Sequence, residues 1–249
     1  MKKIFSVICV FIFLFLISNP KTFAYGWGFS KNDRHETPEI GIYKNEIEGT
    51  NSYYLGDETK KEVYLTFDAG YDNGVLSGIL DILKEKNVKS TFFVTGDFML
   101  REQDLVKRIV EEGHIIGNHT WGHKNITKIS YEKLKEEIEK IEDEYYKITG
   151  KEMIKFFRPP EGEFTKAALE NVSSLGYKTF FWSIAYKDWE TNNQRGGEYG
   201  YNAIMNNIHN GAIMLMHTVS KDNLECLPRV IDDLRNDEYL IKNLDEMSY

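Results

Sequence analysis

The sequence predicts an α/β fold on a parallel sheet, open or closed into a barrel, and three observations predict it. From Glu62 to the end of the chain, short β-branched and aromatic runs alternate with segments of helical apolar spacing. Gly113, Gly150 and Gly176 each follow a helical segment, where a left-handed stop is expected. Asp68, Asn118-His119, Arg158, Ser183 and His217 each fall just past an expected strand end. In parallel α/β sheets that edge is where chemistry gathers.

The elements follow in order. Residues 63–67 read as a strand, and 75–86 as a helix with Val75, Leu76, Ile79, Leu80 and Leu83 on one face. A strand is expected over 90–94, a helix over 100–112 and a strand over 114–117. The longest helix, 131–149, aligns Leu134, Ile138, Ile141, Tyr145 and Ile148. Then come a strand at 155–157, a helix at 166–175 and a strand at 178–182. A helix over 201–209, a strand over 212–216, a helix over 224–235 and a short strand near Tyr239 close the chain. Residues 25–61 are rich in Gly, Asn and charge, with scattered aromatics such as Trp27 and Tyr43. They are expected to form an irregular extension wrapped on the domain.

The first 24 residues differ from the rest. Lys2 and Lys3 precede an apolar run over 4–17, and Thr22-Phe23-Ala24 offers small residues at cleavage offsets. This pattern predicts a secretory signal peptide, or an uncleaved anchor, and so an exported envelope protein. The expected division is thus 1–24 signal, 25–61 extension and 62–249 functional domain. Removing the signal takes away three lysines and no acids, so the formal charge moves from −8 to −11. Such acidity argues against nucleic acid as a partner. Of two cysteines, Cys9 lies in the signal and Cys226 stands alone, which leaves no internal disulfide. A monomer is expected.

The candidate chemistry centres on His119-Thr120-Trp121-Gly122-His123. Two imidazoles at i and i+4 reach one metal ion from one face of a helical turn. Asp68 ends an apolar strand, where an acid needs a partner, and it lies too early to cap the helix expected after Asn73-Gly74. His217 ends the apolar strand run Ile213-Met214-Leu215-Met216. Arg158-Pro159-Pro160 puts a permanent cation on a stiff turn, suited to gripping a carboxylate. Trp182, Tyr186 and Trp189 flank Asp188, and flat aromatic faces beside an acid suit a sugar ring. Each feature alone has a plainer explanation: surface histidines, a cap, a core histidine, core aromatics, a loop arginine. Their shared address on one sheet edge favours one site. His35, His114 and His209 lack such company and are expected to be structural or exposed.

Together, TFDAGYDNG, GNHTWGH, RPPEGEF, FWSIAYKDW and IMLMH resemble the five ordered motifs of the polysaccharide deacetylase family, the NodB-homology or family 4 carbohydrate esterases. GYDNG, the stretch 191–212 and HETPEIGIY more narrowly resemble the spore-cortex subgroup that makes muramic δ-lactam. The resemblance implies a distorted (β/α) barrel and metal-dependent removal of the N-acetyl group of N-acetylmuramic acid in peptide-stripped peptidoglycan. It implies Asp68 as general base, His217 as general acid tuned by Asp188, and Arg158 orienting the base. His119 and His123 would hold a divalent metal, zinc by type, and the Tyr71 N–H would stabilise an oxyanion. Trp189, Trp182 and Pro159 would contact the glycan strand. One departure is Ala69, where most of the family has a metal-binding aspartate; the δ-lactam subgroup often lacks it too. Asp72 is a weak substitute. The rival expectations are an N-acetylglucosamine deacetylase, a non-catalytic glycan-binding homologue and an O-esterase.

Overall fold

The structure, a computed structural model, describes residues 23–31 and 34–248. The expected signal segment therefore lies, up to residue 22, outside the described residues. The N-terminal stretch carries β1 (Tyr25–Gly26), α1 (Tyr43–Ile47) and β2 (Ser52–Tyr53). Next come β3 (Glu62–Ala69), α2 (Leu76–Glu85), β4 (Thr91–Val94), α3 (Gly96–Arg101), α4 (Gln103–Glu111), β5 (Ile115–Asn118) and α5 (Tyr131–Thr149). They are followed by β6 (Phe156–Phe157), β7 (Glu163–Phe164), α6 (Lys166–Ser174), β8 (Lys178–Phe180) and β9 (Ile184–Ala185). The chain closes with α7 (Gly197–Met205), β10 (Ile213–His217), α8 (Lys221–Asn236) and β11 (Leu240–Lys242).

The main sheet runs β2-β8-β6-β5-β4-β3-β10-β9, with β11 beside the start of β3, and its pairs are parallel. β8 and β9 lie near opposite ends of this order, yet only residues 181–183 separate them in sequence. The sheet must therefore curl so that its two ends approach each other. The backbone shows the hand-over: Phe181 N–H donates to the Tyr53 carbonyl at 2.7 Å, and Ser183 N–H to that of Ile213 at 3.0 Å. This is the distorted barrel.

β3 is buried along its whole length, as a strand covered on both faces should be. Side chains alternate. Val63, Leu65, Phe67 and Ala69 pack in the large apolar layer with α2 and α8, whereas Tyr64 packs with Phe93, Phe156 and Phe180. Asp68 belongs to this second, inward set. α5 is fixed at both ends, by the Ser130 hydroxyl accepting from Lys133 N–H and by left-handed Gly150.

Two expectations need correction. The helix expected over 100–112 is two helices, because Thr95 caps α3 and the backbone leaves the helical region at Glu102. The N-terminal extension is not irregular throughout. β2 extends the main sheet beside β8, and β1 pairs antiparallel with β7. Its Trp27 stacks on Phe181 with centroids 4.2 Å apart, so the segment's aromatics complete the packing of β7 and α6.

Candidate active site

The parallel register of β3 and β10 sets Asp68 directly opposite His217. Asp68 is 8% exposed, and its Oδ1 accepts from Arg158 Nη1 at 2.9 Å. Arg158 follows β6 and is fully buried. Its Nη2 donates to Thr66 Oγ1 at 2.8 Å and its Nε to the Phe180 carbonyl at 3.0 Å, while the guanidinium stacks 4.2 Å over Phe93. A buried ion pair persists only when its remaining donors are satisfied this way. Burial pushes the Asp68 carboxyl up, but Arg158, then His119 and His217, outweigh it and hold it below the ordinary carboxylate range. Asp68 is thus held as a carboxylate in a largely buried setting at the cleft wall.

His217 is held from its other side. Its Nδ1–H donates to Asp188 Oδ1 at 2.7 Å, and its backbone N–H donates to Asp188 Oδ2 at 2.8 Å. Asn223 Nδ2 donates to the same Oδ2 at 2.6 Å, and the Tyr186 hydroxyl in turn donates to Asn223. Nε2 is left for the cleft. Burial drags the imidazole pKa down, but Asp188 and then Asp68 raise it above its ordinary value. Trp189 stands beside it, with centroids 5.6 Å apart and half its surface exposed.

The two candidate metal ligands are not on a helical turn. Residues 119–123 form a loop after β5 in which Thr120 (φ 64°) and His123 (φ 49°) are left-handed. Local hydrogen bonds impose that path. Thr120 N–H donates to Asn118 Oδ1 at 3.0 Å, and Trp121 N–H and Gly122 N–H both go to Glu137 of α5, on its carbonyl and its Oε2. Gly96 N–H donates to the Trp121 carbonyl at 2.9 Å, and a Cβ on Gly96 would strike the Trp121 ring at 2.4 Å. The rings of His119 and His123 still converge, with centroids 4.9 Å apart.

These residues fit a cation. His119 Nδ1–H donates to the Arg158 carbonyl at 2.8 Å, which fixes the tautomer and leaves Nε2 as a lone pair. Burial chiefly lowers its pKa to about 4, so the ring is neutral, as a ligand must be. His119 Nε2 lies 3.6 Å from Asp68 Oδ2. Among the described residues no three His, Cys, Asp or Glu side chains form a closed cage. Ala69 is fully buried in the apolar layer. Asp72 accepts from Leu76 N–H at 3.3 Å, so it serves the start of α2.

Asp68, His119, His123 and His217 line one cleft of about 740 Å³, open to solvent. Tyr71 lines it with its ring half exposed, and Trp182 and Trp189 line it too. Pro159 does not: it is buried beneath the turn, and Glu161 and Gly162 reach the cleft in its place. Sequence reasoning placed Asn118 at this sheet edge but missed Thr66, Glu137 and Asn223, all of which hold other site residues. Glu137 left a signal, an acid set among Leu134, Ile138 and Ile141 on the buried face of α5. Of the remaining histidines, His114 and His209 are buried away from the cleft, and His35 is exposed.

A buried carboxylate facing a carboxylate-tuned histidine in an aromatic-walled cleft is the arrangement of a hydrolase, and comparison with known proteins gives its family. A polysaccharide deacetylase family model matches residues 55–180. The chain is 43% identical over 224 residues to the peptidoglycan-N-acetylmuramic acid deacetylase PdaA of Bacillus subtilis, covering 90% of this chain and 85% of that one. The solved structure of PdaA, a family 4 carbohydrate esterase, superposes with a TM-score of 0.87 at 42% identity, over 90% of this chain and 96% of that one. A peptidoglycan-N-acetylglucosamine deacetylase of Listeria monocytogenes is 34% identical over 194 residues, 76% of this chain and 39% of that one. The chain belongs to the polysaccharide deacetylase family.

Proposed function

We propose that this protein hydrolyses the N-acetyl group of N-acetylmuramic acid in peptide-stripped peptidoglycan, and that the freed amine closes on the lactyl carboxyl as muramic δ-lactam. The observation that carries the chemistry is the register pair: an ionised Asp68 and an Asp188-tuned His217 side by side at one strand edge. The similarity to PdaA favours muramic acid as the substrate sugar.

Asp68 takes the proton of the attacking water, with Arg158 fixing the carboxylate and keeping it ionised. Tyr71 lines the cleft, and its backbone N–H would donate to the developing oxyanion, a contribution of about 3 kcal/mol for one such donor. His217 Nε2 protonates the leaving nitrogen, and Asp188 stabilises the imidazolium that does so. Trp182 and Trp189 offer apolar faces to the sugar. His119 and His123 would hold a divalent metal of zinc type, which when bound would supply Lewis acidity. With two protein ligands, such a metal would be held less tightly than in a three-ligand site. The apolar run near the N-terminus supports action outside the cytoplasmic membrane, as an exported or anchored envelope enzyme.

Mass analysis of peptide-free glycan, incubated with the protein with and without added zinc, tests the proposal. Loss of acetate from muramic acid, with or without loss of water on lactam closure, is expected, and zinc should raise the yield. Acetate lost only from glucosamine would reassign the substrate. Unchanged glycan in both conditions would contradict deacetylation.

A further inference from the structure

The wall formed by residues 160–162 carries a carboxylate that the mechanism does not use. Glu161 is exposed, lines the cleft, and has φ 60° and ψ 3°, a conformation that favours glycine. Gly162 follows, also left-handed at φ 66°, and a Cβ there would strike the Trp182 ring at 2.8 Å. Two successive left-handed residues thus turn the chain so that Glu161 stands in the cleft beside the aromatic wall. Among the described residues its carboxylate has neither a hydrogen-bond nor an ion-pair partner. The other cleft acids are neutralised: Asp68 by Arg158, and Asp97 by Arg101 at 2.6 Å. No lysine or arginine is among the described residues lining the cleft.

We propose that Glu161 is a specificity-determining residue that favours a glycan bearing a free ammonium, a de-N-acetylated amino sugar, next to the sugar being hydrolysed, and disfavours a carboxylate at that position. The proposal rests on the glycan-deacetylase reading and deepens it. With no lysine or arginine among the described residues lining the cleft to pair with it, the Glu161 carboxylate attracts an ammonium and repels an anion at its own wall. The lactyl carboxylate of a bound muramic acid therefore lies on the side away from Glu161. The reaction that supplies the preferred strand is a prior N-deacetylation of a neighbouring residue.

The test reads binding rather than turnover, so its failure is distinct from failure of the deacetylase reading. A glucosamine tetramer and its fully N-acetylated counterpart are titrated calorimetrically into the full chain, as wild type, E161Q and E161R. The wild type is expected to bind the cationic tetramer more tightly, and E161Q to weaken that binding by about fivefold, the effect of one well-placed exposed ion pair. The acetylated tetramer should change less than twofold in E161Q, and E161R should invert the preference. Equal binding of the cationic tetramer by wild type and E161Q overturns the proposal, as does failure of the wild type to bind it.

Discussion

The two halves of the cleft are held in place by different means. Asp68 and His217 sit on neighbouring parallel strands, so the sheet ladder itself sets their spacing, and each is gripped by one charged partner. His119 and His123 sit on a loop with two left-handed residues, whose shape depends on a buried carboxylate from α5. The difference teaches that the proposed proton-transfer pair is built into the barrel, whereas the proposed metal-binding pair is an attachment that α5 keeps in shape. The two halves touch where the Arg158 carbonyl accepts from His119 while its guanidinium grips Asp68.

Arg158→Ala attacks that junction and should have the largest effect. It leaves Asp68 buried without its cation, so urea unfolding should show a loss of about 3–5 kcal/mol along with loss of activity. A stability change under 1 kcal/mol would separate the halves and break the comparison.

Glu137→Ala tests the attached half alone. Releasing the Gly122 N–H should loosen the loop, and zinc affinity read by competition with a chelator should fall about 10- to 100-fold. The fold should hold, and activity at saturating zinc should largely return. Unchanged affinity would mean that the loop holds its shape without α5.

Asp188→Asn tests the built-in half. Asp188 raises the His217 pKa above its ordinary value of about 6.5. The acid form is lost as pH rises through that raised value, so activity declines there. With asparagine the decline should move to lower pH, because the carboxylate that raises the His217 pKa is gone. The stability the pair contributes follows the same sign: full below about pH 6.5, lost as pH rises through the folded-state pKa. An unmoved alkaline limb would show that His217 is not the titrating acid. The smallest effect belongs to Trp189→Ala, which removes one half-exposed face; KM should rise about three- to tenfold with little change in kcat.

Much of the built-in half was legible in the sequence. Asp68 and His217 stand at the ends of β3 and β10 and Arg158 just past β6, one residue or so from where the strands are expected to stop, and parallel strands bring such ends together without any knowledge of packing. The loop was not legible. Spacing of i and i+4 reads as a helical turn, and nothing local in His119-Thr120-Trp121-Gly122-His123 announces that Glu137 will take the Trp121 and Gly122 amides. Asn223 and Thr66 escaped for the same reason, since their partners are distant in sequence. Pro159 was misplaced because a stiff turn fixes direction only once Glu161 and Gly162 take left-handed conformations. Residues 25–61 looked irregular because two-residue strands are too short to show a period, yet β1 and β2 pair with β7 and β8.

The most direct test of the central claim is acetate release from peptide-free glycan by Asp68→Asn and His217→Ala, each purified and shown by circular dichroism to be folded. Each variant should lose about 100-fold or more of the wild-type rate at saturating zinc. Near-normal release by either folded variant would contradict the assignment of base and acid to the register pair.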